Sequence, residues 1–185
     1  MKTKTQNILG VVKIVAVIGY IGAIIHAARI IIPFIGSHVT DLLRRFTDIN
    51  ITFSFDTGTG LDHLKNDHNI FPYLALMSLV IAIAILKIHI WEKLRNILQE
   101  INLHSPFSNK VAKLIENMSY TILTLGILYF AADSYAHHYI KHFGEIDRGL
   151  FKSDFQYLFS AGIVYVMAQI FKRGVEIQEE NELTV

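Results

Sequence analysis

Apolar residues gather in four long uncharged stretches, at 14–28, 70–86, 117–132 and 155–171. A bilayer's hydrocarbon core is about 30 Å thick, so a straight spanning helix needs about 20 largely apolar residues. Each stretch reaches that length once flanking turns are recruited. The pattern predicts spans at about 8–30, 70–91, 113–134 and 155–172. Between them it predicts outer loops at 36–69 and 135–154, an inner loop at 92–112 and a tail at 173–185. The expected fold is an all-α integral membrane protein, an antiparallel four-helix transmembrane bundle of one domain with a small strand-containing extracytoplasmic cap.

The cap rests on one segment. Ile49 to Phe55 alternates apolar and polar residues, the period of a half-buried strand, and Asp56-Thr57-Gly58-Thr59-Gly60 ends it with turn residues. A lone strand is unstable in water and needs a partner strand, a covering helix or a second subunit, and the second outer loop can supply one.

The first apolar run, Ile8 to Ala28, is broken only by Lys13. It is longer than the core of a cleaved signal peptide and reads as a retained helix. Gly19, Ala23 and Ala27 recur at four-residue intervals with Gly22 beside them. Small residues at that spacing let membrane helices approach closely. Packing within the bundle is the plainer reading and a homodimer contact the alternative. Pro33 predicts a bend. After the second span, Ile90, Leu94, Ile97, Leu98 and Ile101 continue at helical spacing as an amphipathic stem, with Trp91 at headgroup level. Ser105-Pro106 reads as the N-cap and first residue of the next helix.

Composition fits a membrane protein: 52% of residues are apolar and 18% charged, against about 25% charged in soluble domains. The absence of cysteine excludes disulfides, thiolate metal sites and cysteine nucleophiles. A net charge of +1 gives no footprint for direct nucleic-acid binding. The Lys and Arg near the spans are more numerous on the side that holds the N-terminus. That bias places both termini in the cytoplasm of a multi-pass inner-membrane protein.

Two segments carry a family likeness. The tail Ile170 to Val185 and the inner-loop segment Leu94 to Ser108 resemble the recurrent elements of a bacterial membrane-protein family of unknown function, DUF2975. The four-span layout is similar as well. The resemblance implies a small polytopic inner-membrane protein and no catalytic residues. Members of this family are often encoded beside a small helix-turn-helix regulator, which implies a regulatory pair. The histidine-rich outer loops of this chain have no counterpart in the family pattern.

Seven of the nine histidines fall at or beyond the expected outer face: His26, His38, His63, His68, His137, His138 and His142. Asp133 and His137 share one helical stripe, and His138 and His142 share the next. Imidazole and carboxylate at this spacing can chelate a divalent ion, and imidazole titrates near neutral pH. The spacings match no established metal motif, so solvated or hydrogen-bonded loop histidines are the plainer reading. The spans hold few polar residues, among them Ser119, Tyr120, Thr121, Thr124, Gln156 and Gln169, which gives catalysis or transport little support. Glu116 and Asp133 read as boundary residues of the third span, and Lys172 and Arg173 suit lipid headgroups.

The functional expectation is a sensor or adaptor without enzymatic activity or cofactor. Its tail residues Val175, Glu176, Glu179, Glu180 and Glu182 would engage a cytosolic protein, such as a small transcriptional regulator. The alternative is an extracytoplasmic metal-binding or transport component that uses Asp133, His137, His138 and His142.

Overall fold

The computed structural model describes residues 4–46, 59, 61, 70–103, 106–143 and 155–182, with the backbone alone at 41–46, 139–143 and 182. Four α-helices account for nearly all of them: α1 Lys4–Phe46, α2 Ile70–Glu100, α3 Asn109–Phe143 and α4 Gln156–Glu182. All four are long and apolar enough to cross a membrane. The chain is a multi-pass membrane protein. The described residues contain no strand. The strand expected at Ile49–Phe55 lies outside them, and nothing among them supports a strand-containing cap.

Ile and Val dominate the apolar part of α1 although both are weak helix formers in water. Hydrocarbon reverses that preference, because every backbone N–H and C=O there must be satisfied within the segment. The helix also runs past Pro33, which lies inside it and does not end it. Just beyond, side chains fasten the next turn to the backbone. His38 Nδ1 lies 2.8 Å from the Phe34 carbonyl, Ser37 Oγ donates to the same oxygen at 2.9 Å, and Thr40 Oγ1 donates to Ser37 O at 2.9 Å.

α3 starts one turn later than Ser105-Pro106 predicts. Ser108 is its cap: the Oγ accepts the Val111 N–H at 3.2 Å, and the carbonyl accepts the Ala112 N–H at 3.0 Å. That cap leaves Phe107 outside the helix, where its ring packs on α4.

The helices pack into two compact units. The first comprises 1–23, 86–127 and 154–185. Ile97, Val111, Ile115 and Ala168 form its buried core, with Ile101, Leu114, Met118, Val164 and Phe171 packed around them. Gly126 brings α3 close to α4, since a Cβ there would lie 3.1 Å from Tyr157 Cβ. α1 joins through Gly19, which lies under the Trp91 ring of α2, and through Tyr20, whose ring carries the Arg95 guanidinium 4.7 Å above its centroid.

The second unit comprises 24–85 and 128–153. Tyr73, Leu76 and Met77 of α2 are fully buried there, as is Leu61. The Tyr73 ring stacks on His38 at 6.4 Å between centroids and meets Phe34 at 6.3 Å. Thr59 donates to the Met77 sulfur at 3.8 Å and accepts the Leu61 N–H at 3.4 Å.

On α1 the buried stripe is narrow: Ala16, Ala27 and Ile30 are buried, whereas Ile14, Ile18, Ile25 and Ile32 are mostly exposed. So continuous an apolar surface is untenable in water and natural against lipid.

The Gly19 contact yields a test. A Cβ at Gly19 would come within 2.6 Å of the Trp91 ring, while one at Gly22 meets nothing within 4 Å. Replacing a helical glycine by alanine contributes up to about 1 kcal/mol in propensity, and overpacking costs about 1–3 kcal/mol. Gly22→Ala is therefore neutral or stabilising, whereas Gly19→Ala lowers the thermal midpoint in detergent and shifts the Trp91 fluorescence. Equal effects of the two substitutions would contradict the contact.

Candidate functional site

α4 does not stop where its apolar run ends. It continues through Lys172, Arg173 and Gly174 to Glu182, so the expected tail is helical over most of its length. Glycine in mid-helix weakens propensity, and the fold uses its missing side chain. The Phe107 ring lies over Gly174, with Phe107 Cδ1 2.5 Å from where a Cβ would stand. The same ring meets Phe171 edge-on at 5.4 Å. Val175 faces inward and is only 7% exposed. Asn109 Nδ2 donates to Glu179 Oε1 at 3.5 Å, a second, weaker tie between the start of α3 and the end of α4.

The outward face of this end has two characters. Arg173 donates to Glu176 at 2.7 Å and lies 4.0 Å from Glu180, so one guanidinium is held between two carboxylates. Beside them runs an open apolar groove of about 790 Å³, lined by Phe107, Ile170, Arg173, Gly174, Ile177, Gln178 and Asn181. Clefts of this size suit ligands or partner side chains.

One turn back along α4, Lys172 does not reach out to headgroups. Its Nζ donates to Glu116 Oε1 of α3 at 2.8 Å. The Glu116 side chain is 18% exposed, and its carboxylate also faces Gln169 and Tyr120. The Tyr120 and Tyr165 rings stand 6.1 Å apart next to it. The pair thus forms the polar end of the α3–α4 contact. Lys110 makes a further ion pair with Glu100 at 2.8 Å, joining the first turn of α3 to the end of α2.

Of the residues expected at the tail, Glu176, Glu179 and Glu180 are exposed, and Val175 is occupied inside the chain. Glu182 ends α4, with its backbone alone described. Of the small-residue stripe, Gly19 meets Trp91 of its own chain, Ala27 is buried and Ala23 is half-buried. Asp133, His137, His138 and His142 all lie on α3. Asp133 is half-buried, and His137 and His138 are exposed. The His142 side chain lies outside the description, as do His63 and His68. Among the described residues no three His, Cys, Asp or Glu side chains stand close enough to hold a metal ion. His38, grouped with the outer histidines in the sequence, instead bonds its own helix and stacks on Tyr73, with its Nε2 buried.

Two contacts are not evident from the pattern of the chain: Phe107 on Gly174, and Lys172 on Glu116. A glycine inside a helix that continues beyond it signals the first. An acid one turn into an apolar span signals the second. A half-buried ion pair tolerates joint removal better than the loss of one partner, which strands the other charge. Lys172→Met alone is therefore expected to lower the thermal midpoint in detergent more than Lys172→Met combined with Glu116→Leu. The reverse order would contradict the pairing.

No curated protein and no solved structure matches the chain. The DUF2975 family, described as a protein family of unknown function, matches residues 57–185. The match runs through α2, α3 and α4 and takes in both segments described above, the capped loop and the helical end. The chain, with its four candidate membrane helices, belongs to the DUF2975 family.

Proposed function

We propose that the protein is a non-enzymatic membrane sensor or adaptor, and that the polar end of α4 passes the state of the membrane-embedded helices to a soluble cytoplasmic partner. The observation that carries this reading is the continuity of α4 from its apolar part to Glu182. Its 27 residues make a rod about 40 Å long at about 1.5 Å per residue. A hydrocarbon core of about 30 Å leaves the last turns in the aqueous phase. A rigid rod carries a tilt or rotation inside the membrane to its outer end, whereas a flexible tail would lose it.

The composition of that end supports a partner role. Ile170, Ile177 and Phe107 remain accessible around the groove, and Glu176, Glu179 and Glu180 stand exposed on the same helix. Carboxylates are repelled by an anionic leaflet, so this end favours a protein over the membrane surface. A small transcriptional regulator is the partner that the family resemblance implies. The reading assigns no catalytic residue and no cofactor.

In-cell crosslinking followed by pull-down tests it. The full chain is compared with a chain ending at Gly174 and with Glu176→Gln/Glu179→Gln/Glu180→Gln, which retains Val175 and the helix. A soluble partner captured by the full chain and lost from both variants is the expected result. Identical captures from all three would overturn the reading.

A further inference from the structure

We infer that the groove on the end of α4 receives a cationic amphipathic helix. The inference deepens the adaptor reading, on which it rests, by specifying the chemistry of the partner.

Ile170, Gly174, Ile177 and Asn181 recur at three- and four-residue intervals and so share one face of α4. Phe107, from the loop before α3, packs on Gly174 and walls one side of that face. Ile170 is 60% and Ile177 46% exposed, so the apolar lining is not used up by the chain's own packing. A trough with apolar positions at helical spacing suits a second helix, which lays its own i, i+3, i+4 and i+7 side chains into it.

Charge selects the kind of helix. The end of α4 presents one guanidinium, Arg173, against the exposed carboxylates Glu176, Glu179 and Glu180. Arg173 is itself held by Glu176 and Glu180, and neighbouring Lys110 is held by Glu100. Over residues 172–182 two cations, Lys172 and Arg173, stand against four glutamates, so the polar end of α4 is net negative around a groove whose one charged lining residue is Arg173. A helix with lysine or arginine flanking its apolar stripe gains complementary contacts there, and one flanked by acids is repelled. The same charge disfavours an anionic lipid surface as the occupant.

The test uses the full chain in nanodiscs of zwitterionic phosphatidylcholine, with a photocrosslinking amino acid in place of Gln178. The probes are two fluorescent amphipathic peptides, one of leucine and lysine and the other of leucine and glutamate, each also measured against empty nanodiscs. The lysine peptide is expected to bind saturably and crosslink, and the glutamate peptide to do neither. Glu176→Gln/Glu180→Gln keeps the shape of the groove and should weaken the lysine peptide by about fivefold, the scale of two exposed ion pairs. Ile177→Asp should abolish crosslinking.

Equal binding of the two peptides, or no change in the glutamine variant, would overturn the inference. So would binding no stronger than to empty nanodiscs. The two readings can fail separately. A tail-dependent partner in cells that the lysine peptide does not displace leaves the adaptor standing and removes the groove's cationic occupant. Charge-dependent, saturable peptide binding supports the groove even where no cellular partner depends on the tail.

Discussion

The packing of the Phe107 ring over Gly174 is the contact on which the polar end of the first unit depends. It requires a residue without a side chain within α4, where glycine weakens helix propensity. It also requires that Phe107 stay outside α3, which is why the cap of that helix falls on Ser108. The ring meets Phe171 edge-on, and the acidic residues that follow are presented on a continued helix with Val175 facing inward. Without it, a stretch of four glutamates within seven residues, 176–182, would have little reason to remain helical beside its like-charged neighbours.

Other contacts in that unit follow the same logic of removing polar cost where water is scarce. Lys172 would otherwise bring a charge to the edge of an apolar helix, and Glu116 would do so from the opposite side. Paired at 2.8 Å, each meets the other's requirement and fixes the axial position of α4 against α3. Arg95 lies over the Tyr20 ring, and Gly19 admits Trp91, so α1 is joined to α2 by two adjacent aromatic contacts. The remaining surface of α1 is left apolar and open, as a lipid-facing helix requires.

Much of the fold was legible from hydropathy alone, because the need to satisfy backbone groups in hydrocarbon leaves few alternatives to helices. The four helices coincide with the four apolar stretches. Their ends were harder to read. α1 continues beyond Pro33, because in hydrocarbon a helix is the segment's way to satisfy its remaining backbone groups. The pattern Ser105-Pro106 favours the earlier serine as cap, whereas Ser108 caps α3 in the structure. The glutamates of the candidate site were evident from composition, but the inward Val175 was not, because its burial depends on how α4 packs in three dimensions. His38 shows the opposite case: its chemistry pointed outward to metal or pH, and its surroundings, Tyr73 and Phe34, make it part of the packing.

Amide hydrogen exchange over residues 174–182, in nanodiscs, tests most directly whether α4 is one fastened rod. Wild-type amides across this segment should be protected, and Phe107→Ala should release them while the amides of 160–170 stay protected. Rapid exchange over 174–182 in the wild type would contradict the account, because an unfastened end cannot carry a displacement out of the membrane.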